Sequence, residues 1–259
     1  MAYKKLKYWF DEDLAILLSK KIKPYYDLFE VERFIEKVEK GTKNLELKDR
    51  VEWIADQLRE QLPLEYTEAL DILYPVLGPE NEQETGMFTE GYWVMPIAKY
   101  VEKYGVNHFQ ESMDFIKEIT KRNTGEYCIR PFLETYPEKT LEEMENWSLD
   151  PNVHVRRLSS EGLRARLPWA KKLDQVIENP KPIIVILENL KDDDSKFVQK
   201  SVANNLNDIL KDNYEFGMEV LEKWSKGATP NRKWIIRHAL RSQIKKENPQ
   251  AQKILAGLN

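Results

Sequence analysis

One cysteine, three histidines and ten glycines in 259 residues exclude several classes of protein at once. A lone Cys128 can build neither an intrachain disulfide framework nor a cysteine-rich metal cluster. His108, His154 and His238 stand apart from one another and from Cys128, so no metal site is expected. There is no glycine-rich phosphate loop, no dinucleotide fingerprint and no serine nucleophile elbow, and no cofactor is expected. Apolar runs such as Ile183–Leu187 are far too short to span a bilayer, so no membrane partner is expected. Met1–Lys5 has no apolar signal core behind it. The cytoplasm is the simplest compartment for such a chain.

What is present is charge and helical periodicity. Charged residues make up 32% of the chain and hydrophobic residues 41%, a soluble, helix-leaning composition. The net charge of -4 hides an asymmetry. From residue 151 onward there are 20 Lys+Arg against 13 Asp+Glu, and before it 20 against 31. A phosphate meets the local field, so an acidic protein with a basic second half can hold nucleic acid. The plainer alternative is charge scattered over solvated helix faces.

Helical spacing of apolar residues predicts helices over 10–22, 31–39, 47–62, 66–77, 92–104, 109–120 and 126–136. Gly41 is expected to close the second of these, and the polar stretch 81–91 to form a long loop. Further on, helices over 141–147 and 153–163, then 182–190 and 195–210, then 216–224 and 232–245, read as three successive hairpins. The segment opening at Asp150 returns at Asp192, about forty residues later. Val155, Leu158 and Leu163 match Val198, Val202 and Leu206 in pattern, and Ile235, Ile236 and Leu240 continue it. Such hairpins cannot bury their apolar faces alone. The expected fold is therefore all-α, with HEAT-like helical-hairpin repeats stacked into a curved solenoid. It reads as a single domain, with N-terminal helices over 1–125 and repeats over 126–259.

Several polar residues sit where an apolar helix would not need them. Glu161, read as lying mid-helix, shares a face with Arg157 and Arg164. Asp208 follows Asn204, Asn205 and Asn207, a run of poor helix formers. Glu126 opens its helix with Arg130 four residues on. The plain readings are an intrahelical ion pair, hydrogen bonding between repeats, and a helix N-terminal acid, respectively. Pro168-Trp169 lies between Arg164 and Arg166 on one side and Lys171-Lys172 on the other, an aromatic among cations that suits a nucleic-acid surface or a buried inter-repeat contact. Arg232, Lys233, Arg237, Arg241, Lys245 and Lys246 form a further basic stripe.

The segments Glu126–Leu133, His154–Gly162, Arg166–Trp169 and Ser201–Asp208 resemble those of the AlkC family of DNA glycosylases, related to the AlkD family. Phe10–Leu14, Leu45–Arg50, Gly91–Ile97 and Ile236–Arg241 extend the resemblance over nearly the whole chain. The resemblance implies excision of cationic alkylated bases, chiefly 3-methyladenine, from double-stranded DNA lying on a concave basic face. It matches the family's acids to Glu126, Glu161 and Asp208, its active-site tryptophan to Trp169, a neighbouring aromatic to Tyr127, and a cation near the lesion strand to Arg157. Asn205 stands where the family pattern leads one to expect histidine. Arg156, Arg157, Arg164, Arg166, Lys200, Arg237 and Arg241 are the candidate DNA-binding cations. The expectation is a monomeric, monofunctional glycosylase without the immunoglobulin-like domain some relatives carry, lacking metal and cofactor, and leaving the lesion largely in the helix. Two other classes stay open: a repeat module that binds distorted DNA without catalysis, and a protein-interaction scaffold.

Overall fold

Helix is the only regular structure among the residues that the computed structural model describes, 4–85 and 91–258. They gather into two compact units, one of residues up to 82 together with 91–135, the other of 83–85 with 136–258. No helix among the described residues is long and apolar enough to cross a membrane.

The first unit holds α1 (Glu12–Ile22), α2 (Val31–Thr42), α3 (Leu47–Gln61), α4 (Tyr66–Leu73), α5 (Val94–Tyr104), α6 (Phe109–Thr120) and α7 (Arg130–Thr135). Asp11 caps α1 by accepting from the Asp13 N–H at 3.1 Å. Gly41 does not end α2 as expected; it lies inside it. A Cβ there would come within 2.2 Å of the Trp53 indole, so this glycine serves the close approach of α2 to α3. Pro75 turns the end of α4 into a short 3-10 turn, Pro75–Leu77. Residues 81–85 are non-helical, and the rest of the expected loop, 86–90, lies outside the described residues. The helix expected from Glu126 starts four residues later. Pro131 has no N–H to give the Tyr127 carbonyl, and 126–129 form turns instead.

The second unit contains α8 (Pro137–Trp147), α9 (Val153–Glu161), α10 (Asp174–Glu178), α11 (Lys181–Leu190), α12 (Lys196–Asp212), α13 (Tyr214–Ser225), α14 (Pro230–Ala239), α15 (Arg241–Ile244) and α16 (Pro249–Ala256). The three expected hairpins form as α8/α9, α11/α12 and α13/α14. Their second helices lie side by side, with α12 packed against α9 on one flank and α14 on the other. Val155, Leu158, Val198, Val202, Leu206, Ile235, Ile236 and Leu240 are all buried, as the repeat register requires. Each second helix starts on a small polar cap: Asn152, Ser195 and Thr229 accept from backbone N–H groups one turn on. The acidic run at 192–194 ties three repeats together, since Asp193 accepts from Arg156 Nε at 2.7 Å and Asp192 from Arg232 Nε at 3.0 Å.

Candidate active site

The side chains that could carry chemistry in the second unit come from the ends of α9 and α12. Glu161 is the last residue of α9, not mid-helix as expected from sequence. A helix C-terminus carries partial negative charge, an unfavourable place for a carboxylate. Cations and donors compensate. Glu161 Oε1 accepts from Arg164 Nη1 at 2.9 Å and lies 3.4 Å from Arg157 Nη2, while Oε2 accepts from the Ser201 hydroxyl at 2.6 Å. Burial pushes this carboxyl upward, but the charges of Arg157 and Arg164 and the Ser201 hydroxyl outweigh burial and hold it below the ordinary carboxylate value. Glu161 is thus held as an anion at neutral pH, a form that can stabilise positive charge but has no proton to donate.

Asp208 lies in the C-terminal part of α12, and its side chain is only 2% exposed. One oxygen accepts from Arg164 Nε at 2.9 Å, the other from Lys211 Nζ at 2.8 Å. Arg164 therefore bridges two buried carboxylates from neighbouring repeats. Burial disfavours its charge, and the two carboxylates reverse that and hold the guanidinium above its usual value. The sequence grouped Arg164 with the DNA-binding cations; its burial and its two internal partners make it part of the site's framework instead.

The other candidate cations divide in the same way. Arg156 is bound to Asp193 and to the carbonyls of Asp150 and Pro151, and Arg166 to Asp212 at 2.8 Å. Both therefore hold the repeats together. Lys200 and Arg237 are exposed and make no ion pair among the described residues. Arg157 lies over the Phe197 ring at 4.8 Å, and Arg241 donates to Asn204 at 2.9 Å and to the His238 carbonyl at 2.7 Å. His238 stacks on Trp234, with centroids 5.0 Å apart, and burial plus the charges of Arg241 and Lys200 hold its imidazole below the usual value.

Trp169 lies in the irregular segment after α9. It is 57% exposed and adopts φ 65, a left-handed conformation that a bulky residue rarely takes. A bulky residue held in this region stores about 1–3 kcal/mol of strain. Glu126 and Tyr127 belong to the first unit, on the turn before α7, where the Thr124 hydroxyl donates to Glu126 Oε2 at 2.9 Å. Two partners of the acids escaped sequence reasoning. Lys211 could have been found from its i,i+3 spacing to Asp208. Ser201 could have been found only from the repeat, since it falls forty residues after Glu161.

Residues 99–242 match the family model for DNA alkylation repair enzymes. The protein YhaZ of Bacillus subtilis (strain 168), itself uncharacterised, is 38% identical over 247 residues, which is 95% of this chain. The chain spans 66% of that relative's length. Among solved structures, the alkylpurine DNA glycosylase AlkC of Pseudomonas fluorescens, bound to DNA containing an abasic-site analogue, matches with a TM-score of 0.89 and 35% identity. That alignment covers 98% of this chain and 69% of that one. The all-helical repeat fold and the sequence similarity agree, and the chain belongs to the DNA alkylation repair enzyme family, in its AlkC group.

Proposed function

We propose that this chain is an alkylpurine DNA glycosylase that hydrolyses the N-glycosidic bond of cationic alkylated bases, chiefly 3-methyladenine, in duplex DNA. The observation that carries this reading is the pair of buried carboxylates, Glu161 and Asp208, joined through one guanidinium in a chain of the DNA alkylation repair family. An N-alkylated purine is already a cation and leaves readily. As the bond from C1′ to the base nitrogen breaks, its electron pair neutralises the base and positive charge builds on the sugar. A fixed carboxylate beside the sugar stabilises that charge. Water then forms the new C1′–O bond and gives up a proton, which a carboxylate can accept and pass to solvent.

Glu161 and Asp208 take these roles, and Glu126 is a further lesion-facing acid. Trp169 and Tyr127 would pack on the cationic nucleotide by cation–π contact, without full flipping of the base. Arg157, Lys200, Arg237 and Arg241 would hold phosphates on a concave basic face without reading sequence. Lys211 is engaged as the counter-ion of Asp208, which supports base release without strand cleavage.

The test is single-turnover base release from methylated duplex DNA by the native chain, Glu161→Gln and Asp208→Asn. Release of 3-methyladenine should fall by about a hundredfold or more in at least one variant, with duplex binding kept. Duplex binding without any release by the native chain would overturn the glycosylase reading in favour of a DNA-binding module.

A further inference from the structure

Glu161 ends α9 without the usual helix-closing devices. Gly162 stays in the right-handed helical region, and the chain continues with long 3.3 Å bonds from the Leu163 N–H to the Ser160 carbonyl and from the Arg164 N–H to the Glu161 carbonyl. The last carbonyls of a helix have no partner within it and need one from elsewhere. Besides its long bond from the Leu163 N–H, the Ser160 carbonyl takes a shorter one from the next repeat: Asn205 Nδ2, on α12, donates to it at 2.8 Å. Asn205 is wholly buried. The carbonyl it serves fixes which way its amide points, because the reversed amide would set two oxygens against each other. Asn205 Oδ1 and the neighbouring Ser160 hydroxyl are both buried with no hydrogen-bond partner among the described residues. A buried polar oxygen without a partner lowers stability, so this asparagine is not explained as a stabiliser of the core.

Its place on α12 offers an explanation. Ser201, Asn205 and Asp208 lie at successive turns of one helix face and meet three groups within 160–164, at the end of α9. Ser201 donates to the Glu161 carboxylate, Asn205 to the Ser160 carbonyl, and Asp208 accepts from Arg164. The middle contact is the only one of the three made to backbone. It fixes the peptide immediately before Glu161, on which the direction of that side chain depends. We infer that Asn205 is a positioning residue for Glu161, clamping the C-terminal turn of α9 so that the carboxylate sits where Ser201 and Arg164 hold it. This rests on the reading of Glu161 as the acid that acts on the sugar.

The experiment is a double-mutant cycle in the full chain, with Asn205→Leu, Glu161→Gln and the two combined. The readouts are the single-turnover release rate at saturating protein, lesion-duplex affinity, and the melting temperature. Asn205→Leu should slow release by about ten- to a hundredfold, the scale of a misplaced catalytic group. Affinity should stay within about twofold, and melting should shift little, since the bond lost to the Ser160 carbonyl and the bare oxygen removed offset each other. The combined variant should be no slower than Glu161→Gln alone, because Asn205 acts only through that carboxylate. Asn205→Ala runs the same cycle should the leucine disturb folding. Full multiplication of the two losses would overturn the inference, as would an unchanged rate in both Asn205 variants. If Glu161→Gln itself releases base at the native rate, the failure lies with the role of Glu161 and not with its clamp.

Discussion

Replacing Arg164 with methionine removes a single cation from between two buried carboxylates, and its cost can be worked from the contacts. Arg164 bonds Glu161 and Asp208 at 2.9 Å each, and those side chains are 8% and 2% exposed. Breaking a buried ion pair from one side costs about 3–5 kcal/mol. Glu161 keeps Arg157 and Ser201, and Asp208 keeps Lys211, so the lower end of that range, about 3 kcal/mol, applies at neutral pH. For a chain of this size that corresponds to a melting-temperature drop of about 6–12 °C. The sign of the pH dependence follows from Glu161, whose folded-state carboxyl lies below its ordinary value. Such a group contributes stability above the ordinary carboxylate value and loses that contribution as pH falls through the depressed one. In Arg164→Met the contribution is reduced, so the gap between native chain and variant should narrow as pH drops from 7 to below about 4.5. Thermal unfolding at both ends of that window measures it. A loss under about 1 kcal/mol at pH 7, or a gap that widens toward acid pH, would refute the bridge as the site's framework.

Two further outcomes separate presented groups from internal ones. Asparagine tolerates the left-handed backbone that Trp169 adopts, so Trp169→Asn should leave unfolding free energy equal or raise it by about 1 kcal/mol while weakening binding to lesion-containing duplex; a clear loss of stability in chemical denaturation would make the indole a packing element instead. Lys200→Ala and Arg237→Ala should each lower the slope of log affinity against log salt by about one, whereas Arg156→Ala should leave that slope alone and lower the melting temperature. A slope change for Arg156 with none for Lys200 would reverse the assignment.

The fold was readable because helical hairpins repeat their apolar register, and Val155, Val198 and Ile235 recur on it with nothing else required of the chain. Boundaries were misjudged where a local signal had a tertiary cause. Gly41 looks like a terminator but answers to Trp53. The turn at 126–129 depends on Pro131, so the helix starts four residues after the acid taken to open it. Of the site, the candidate acids and the Arg157 and Arg164 neighbours of Glu161 were legible, and the contacts across repeats were not. Arg156, Arg164 and Arg166 look like Lys200 and Arg237 in a count of positive charge. They differ in what faces them: Asp193, Asp208 and Asp212 lie between 37 and 46 residues away in sequence and are brought close only by the stacking of repeats.

The asparagines of α12 carry the same lesson further. Each is a poor helix former, worth about half a kcal/mol against alanine in a helix interior, and three of them in four positions mark a helix with another use for its polar groups. Asn204 accepts from Arg241, Asn205 donates to the Ser160 carbonyl, and Asn207 donates to the Ala239 carbonyl and accepts from Ser242. Two of the three reach toward the following repeat and one toward the preceding one. Only a helix flanked on both sides by others of its kind can use asparagines in this way. The anomaly in propensity agrees with the place of α12, packed between α9 and α14. It cannot say which neighbour each amide serves, because that depends on the rotation of α12 about its own axis, which packing of Val198, Val202 and Leu206 decides. The apolar register thus sets where the polar residues point, and through them where the two carboxylates are held.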